Sequence, residues 1–305
     1  MKKFSRCLIA LSFYFILNSS IFANRWTPEM MIQYQKLSST AISEDGKFIA
    51  YEVSTPILES EKSEFHSQIW LLSTYDESRF QLTQGKTSSS QPKFSPDNKW
   101  LGFLSARGEK KTRQLFIISV SGGESIQITD VASSVNRFDW SPDAMKIAFT
   151  MADPETDDDK KRKKEKRDWK IVDEDYKYNH LYVVSIEEIE EPRQLTKGDM
   201  NVGSFDWSPD GAKIVYDHTE IPTANSSSTS NISIVGLASG SSRVIVDWGG
   251  FDASPKFSND GKRLAFVSDG DNPSWGREHY VYTASSSGVR KKKLQPTPSK
   301  YVNAI

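Results

Sequence analysis

DWSPDGAKIVY, residues 206–216, holds an apolar approach, a tight turn and the start of a second strand within eleven positions. In Ser-Pro-Asp-Gly, proline presets φ at about −65°, aspartate closes the turn through its side chain, and glycine takes the left-handed position. The pattern recurs as AISEDGKFIAY from Ala41, KFSPDNKWLGF from Lys93, DWSPDAMKIAF from Asp139 and KFSNDGKRLAF from Lys256. The turn serines are Ser43, Ser95, Ser141, Ser208 and Ser258, spaced by 52, 46, 67 and 50 residues. Asn98 suits the left-handed position, whereas Ala144 would hold it at a cost of about 1–2 kcal/mol. After each turn, alternating apolar residues such as Phe48/Ala50 and Ile147/Phe149 mark a half-buried strand.

Two further strands follow in each repeat. The third reads QIWLL (68–72), QLFII (114–118), HLYVV (180–184), NISIV (231–235) and HYVY (279–282). The fourth reads FQLT (80–83), IQIT (126–129), RQLT (193–196) and RVIV (243–246). Four antiparallel strands in a period of about 45–50 residues form the blade of a β-propeller, whose neighbours bury what one sheet cannot. The expectation is therefore an all-β chain: a propeller of about five to six four-stranded blades over 24–305, built on WD40-like or TolB-like SPDG repeats. An ordinary β-sandwich would share the frequent turns but not the fixed period.

The spacing of 67 has a visible source in residues 153–178, DPETDDDKKRKKEKRDWKIVDEDYKY. Seven of the eight residues Lys160–Arg167 are basic, bracketed by Asp157–Asp159 and Asp173–Asp175. The flanking acids neutralise the run, so the reading is a solvated loop or short helix on the propeller rim rather than a nucleic-acid patch. Its second half, Trp169–Tyr178, mixes aromatics with acids, a composition suited to docking against a neighbouring surface.

Lys2, Lys3 and Arg6 precede an apolar run of 11 residues, Cys7 to Leu17, and a small residue suited to cleavage stands at Ala23. That is the pattern of a secretory signal peptide over 1–23, too short for a comfortable membrane span. It predicts export to the periplasm or beyond the cell, with no membrane span left after cleavage. Cys7 is the single cysteine, so the mature chain would carry no disulfide. From Asn24 onward, 36 basic residues face 40 acidic ones, a balance that gives no reason to expect a nucleic-acid partner.

No residue commands a catalytic, cofactor-binding or metal role in the sequence. Gly122-Gly123 lacks the Lys-Ser/Thr of a phosphate loop. The run DGDN (269–272) has two acids but not the remaining oxygens of a calcium loop, and no Cys/His metal signature exists. A nucleophile elbow needs Gly-x-Ser-x-Gly at a strand-to-helix turn. The nearest likeness, Gly236-Leu237-Ala238-Ser239-Gly240, puts its serine one place late. His66, His180, His218 and His279 fall in separate repeats, so a triad has no evident scaffold.

The SPDGxxIAF repeats, the signal peptide and DWKIVDEDYKYNHLYVV (168–184) together resemble the prolyl oligopeptidase family of serine peptidases, above all its acylaminoacyl-peptidase and dipeptidyl-aminopeptidase-like bacterial members. The likeness runs from Trp26 to Ile305. It implies a propeller that filters peptide substrates for a C-terminal α/β-hydrolase domain carrying the Ser, Asp and His of the triad. Val302-Asn303-Ala304-Ile305 aligns with Val135-Asn136-Arg137-Phe138, which places a sixth turn serine at position 308, beyond the last residue. The expectation is thus a propeller incomplete at its C-terminus and a fragment inactive alone, its peptide substrate met through the absent hydrolase domain. The alternative is a TolB-like periplasmic propeller that binds a protein partner on its rim.

Overall fold

The computed structural model describes residues 27–59, 62–167, 174–270 and 279–294. The expected signal segment, residues 168–173 of the insertion, 271–272 of the DGDN run and the C-terminal 295–305 lie outside them. The chain divides into two compact units, 1–36 with 55–65, and 37–54 with 66–305. In the first, helix α1 (Pro28–Gln33) opens on Thr27, whose side chain accepts the Met30 N–H at 3.2 Å, with proline in the first turn.

Among the described residues five sheets form, each of four strands in sequence order. They are β1–β4 (Lys36–Ile42, Phe48–Glu59, Lys62–Ser73, Arg79–Gln81) and β5–β8 (Ser89–Phe94, Trp100–Ser105, Gln114–Ser119, Ile126–Gln127). Next come β9–β12 (Val135–Trp140, Lys146–Ala152, Asn179–Ser185, Arg193–Gln194) and β13–β16 (Asn201–Trp207, Lys213–Thr219, Asn231–Gly236, Ser242–Val246). The last is β17–β20 (Asp252–Phe257, Arg263–Ser268, Tyr280–Ser285, Lys292–Lys293). Within the second unit, neighbouring sheets meet through their first strands, β5 with β9 and β13 with β17, while fourth strands pack chiefly on their own third strands. First strands are therefore innermost, and the sheets are blades of a β-propeller.

The core lies between blades. Leu101 and Phe103 of the second blade pack with Ile69 and Leu71 of the first. Leu104 and Ile117 on its other face meet Phe138, Trp140 and Phe149 of the third. Equivalent clusters join the third blade to the fourth and the fourth to the fifth. Gly102 permits the second of these contacts, because a Cβ there would stand 2.7 Å from the Phe138 ring.

The five turns share one geometry. Each serine hydroxyl donates to the aspartate two residues on, at 2.8, 2.6, 2.5, 2.5 and 2.7 Å from Ser43 to Ser258. The same hydroxyl accepts the backbone N–H five residues on, as from Lys213 at 2.9 Å. Gly46, Asn98, Ala144, Gly211 and Gly261 all have φ between 58° and 68°, so Ala144 does carry the strain its position implies.

Fourth strands end earlier than the FQLT, IQIT and RQLT segments suggest. Thr83, Thr129 and Thr196 leave the ladder, and their hydroxyls accept the N–H of Ile69, Leu115 and Leu181, each at 2.9 Å. Thr83 and Thr129 also donate to Gln68 and Gln114 at 2.7 and 2.8 Å, and His180 occupies the same place opposite Thr196 at 3.3 Å.

The insertion grows from the β10–β11 hairpin, whose pairing continues through Asp153 N–H to the Tyr178 carbonyl at 2.8 Å. Helix α2 (Asp157–Lys164) begins with a capping box between Thr156 and Asp159, with acids in its first turn and basic residues in its last. Arg162 pairs with Asp159 and Asp175, each at 2.8 Å, and Lys177 reaches Asp159 at 2.6 Å. These bonds, led by the one from Lys177, hold Asp159 well below the usual carboxylate range.

Candidate functional site

The inner strands carry polar side chains that the turn and fourth-strand pattern does not consume. Residues just before four of the five turns tie blades together. Lys93 pairs with Asp139 at 3.0 Å, and Lys256 pairs with Asp206 at 2.9 Å. The indole N–H of Trp140 donates to the Lys93 carbonyl, and that of Trp207 to the Asp139 carbonyl. Farther from the turn, the pairing of four inner strands is broken by a bulge, between Ser90 and Lys93, Val202 and Phe205, and Ala253 and Lys256, and opposite Thr150/Met151. Bulges re-aim side chains. Here they accompany a line of amides across blades. Gln91 donates to the Asn136 carbonyl at 3.3 Å, Asn136 to Asn179 at 3.0 Å, and Asn179 to the Val202 carbonyl at 2.7 Å.

The fourth and fifth blades hold two buried carboxyls. Asp217 accepts the Ser204 N–H at 3.1 Å, the Ser204 hydroxyl, and the Ser254 N–H at 2.9 Å, so it pins the bulges of the fourth and fifth blades. Burial pushes its proton affinity up despite those donors. Asp252 accepts from Ser268 at 2.6 Å and from the Trp248 N–H at 3.2 Å. Burial, opposed by those two bonds, pushes it up to about 6.

One constellation imitates a nucleophile and base. His218 Nε2 stands 2.8 Å from the Ser233 hydroxyl, with Asp247 near enough to favour the imidazolium. Burial nevertheless lowers the proton affinity of His218. Ser233 is 1% exposed in the middle of β15, paired on both sides, so no substrate carbonyl can approach its oxygen. A nucleophile needs a strained, raised turn and donors for an oxyanion, neither of which a ladder residue offers. Of the other histidines, His66 contacts Gln68 at 2.8 Å, His180 faces Thr196 with Asp153 3.6 Å away, and His279 stacks on Phe251 at 4.4 Å between ring centroids. The structure thus leaves the four in four different blades.

What the inner face can do is hydrogen-bond: amides, hydroxyls and the exposed Arg137 suit the polar backbone of an extended peptide. The sequence did not single out Gln91, Asn136, Ser204 or Asp217. Their one signal was position, four or five residues before a turn serine for the first, second and third.

Comparisons with known proteins agree on fold and kinship. Residues 45–112 match the family model of the acylamino-acid-releasing enzyme N-terminal domain. An uncharacterized peptidase of Bacillus subtilis, YuxL, is 30% identical over 206 residues, covering 63% of this chain and 31% of the relative. Dipeptidyl-peptidase 5 of Porphyromonas gingivalis is 28% identical over 274 residues, covering 79% of this chain and 38% of the relative. The chain therefore spans about a third of the length of these curated relatives. The acylaminoacyl peptidase of Pyrococcus horikoshii superposes with a TM-score of 0.66 at 17% identity, over 88% of this chain and 41% of that one. A protein described as TolB from Agrobacterium tumefaciens reaches 0.53 at 19% identity, over 85% and 80%. The fold is that of a propeller with four-stranded blades. By sequence and fold together, the chain corresponds to the N-terminal propeller portion of prolyl-oligopeptidase-family serine peptidases.

Proposed function

We propose that this chain is the substrate-gating propeller of an exported serine peptidase acting on peptides, with the catalytic chemistry supplied by an α/β-hydrolase domain outside these 305 residues. The observation that carries the reading is the alignment of 79% of the chain with 38% of a relative named as a dipeptidyl-peptidase. The polar inner strands support it, since they offer hydrogen bonds to an extended chain. Passage along them would admit short, extended chains and exclude folded ones. The segment 1–23, with basic residues ahead of an apolar run, supports export.

The test has two arms. DNA beyond codon 305 should continue, in frame or after one frameshift, into further SPDG turns and then Gly-x-Ser-x-Gly. The purified 305-residue chain should hydrolyse neither dipeptidyl nor acylaminoacyl substrates and should take up no fluorophosphonate label. Turnover with a labelled serine in this chain would sink the assignment of chemistry elsewhere. A stoichiometric envelope protein retained by the chain, with no hydrolase reading frame nearby, would favour the TolB-like binding role instead. N-terminal sequencing of the exported product should begin at Asn24.

A further inference from the structure

We propose that the groove between the first and second blades is a carboxylate-binding site, with Arg107 as its anion anchor and the C-terminus of a short peptide as its ligand. The groove is open to solvent, has a volume of about 570 Å³ and is lined by Phe80 and Gln84 from one blade and Arg107, Ile118, Gly123 and Ser125 from the next. That volume lies within the range of small-molecule sites, about 300–1,000 Å³. Its lining residues lie outside the inner strands, and the inference does not rest on the peptidase reading.

The argument begins with the guanidinium. Arg107 is half-buried and lies over the stacked Phe103–Phe116 pair, 5.0 and 5.4 Å from the ring centroids. Its Nε donates to Ser105 at 3.2 Å, Nη1 to Ser125 at 3.2 Å and Nη2 to Ser89 at 2.7 Å. A guanidinium has five N–H donors, so each terminal nitrogen keeps one beyond these bonds, free to donate to a carboxylate. Among the described residues no carboxylate forms an ion pair with it, and burial alone lowers its proton affinity. Buried charges are ordinarily paired. Glu124 also lines the groove, but it is exposed and makes no ion pair with Arg107.

The blade architecture does not require this cation. Twelve residues after its turn serine, Ser95, the second blade has Arg107, where the others carry Thr55, Asp153, Glu220 and Gly270. The aromatic pair beneath it is a repeat feature, since Phe149–Tyr182 and Phe266–Tyr282 stack in the same way without an arginine. A short peptide would place its terminal carboxylate on Arg107 and its last side chains against Phe80 and Ile118. The neighbouring amide of Gln84 would meet its backbone.

Titration of the purified full chain, followed by NMR, tests this with tri-alanine, its C-terminal amide, acetate and inorganic phosphate as probes. Tri-alanine should bind about tenfold more tightly than its amide, the scale of one charge-assisted contact. Arg107→Lys should remove that difference. Gln84→Glu, at an exposed position, should weaken tri-alanine about threefold or more by like-charge repulsion while leaving the thermal midpoint unchanged. This second variant keeps the test decisive if Arg107→Lys fails to fold. Acetate binding as tightly as tri-alanine would uphold the carboxylate site but assign it to small free acids. Equal affinity for acid and amide, binding of phosphate alone, or no binding of any probe would each overturn the proposal.

Discussion

Replacing Asp252 by asparagine should stabilise the protein above pH 6 and destabilise it by about 1 kcal/mol near pH 4. The carboxyl is fully buried, held by the Ser268 hydroxyl and the Trp248 N–H, and its proton affinity is raised from 3.8 to about 6. A folded-state value above the unfolded one means that the native state binds more protons between those limits. Stability from this group is then present below about pH 4 and declines as pH rises to about 6, after which the penalty is constant. Two units correspond to about 3 kcal/mol. Asparagine carries no charge to bury but cannot satisfy both donors, which costs about 1 kcal/mol for one lost bond. The net gain is about 2 kcal/mol at pH 7.5, or about 4–8 °C in thermal midpoint for a domain of this size. Denaturant melts of both proteins from pH 4 to 8 read the difference directly, because every other titrating group cancels between them. A variant that is equally destabilised at pH 4 and 7.5 would show that the ionised carboxylate is an asset, and would refute the reasoning.

Gly102→Ala should destabilise by about 1–3 kcal/mol, the cost of forcing a well-packed ring aside, because the new methyl meets Phe138 at 2.7 Å; urea melts measure it. Ala144→Gly should stabilise by about 1 kcal/mol, since φ at this turn is 58°, and a gain in urea midpoint checks it. On the acid side, bonds from Lys47 and then Ser43 lower Asp45 to about 2, and bonds led by those from Ser208 and Ser258 lower Asp210 and Asp260. These contributions are whole above about pH 4 and disappear as pH falls towards 2. Asp210→Asn should therefore flatten part of the acid limb, as judged by circular dichroism against pH.

The blades were legible in the sequence because their determinants are local. Ser-Pro-Asp-Gly needs only neighbouring residues to close, and the alternation after it sets which face is buried. Even the strain at Ala144 followed from its place in the period. The fourth strands were overextended because the Thr of QLT looks like a strand residue, whereas its hydroxyl replaces a ladder bond from outside the strand. The inter-blade ties were not legible. Lys93 and Asp139 are 46 residues apart, and nothing local says that the residue before the turn aromatic meets its counterpart one blade away. Asp217 illustrates the same limit, since its three donors come from Ser204 and Ser254 on two different inner strands.

That division separates architecture from function. In a repeat protein, a side chain that recurs at one phase of the period serves the stacking of blades. Ser and Asp at the turns, Thr after the fourth strand and the aromatic pair of the second and third strands are all of this kind, and their polarity is consumed by their own blade. His180 belongs with them, because it stands where Gln68 and Gln114 stand in other blades. Polar residues out of phase are not required by the stacking of blades. Arg107 and the helix at 157–164 are departures from the period, and each lies at least partly at a surface. A ligand or partner that uses this propeller should be sensitive to those positions and indifferent to the turns, except through the stability of the whole.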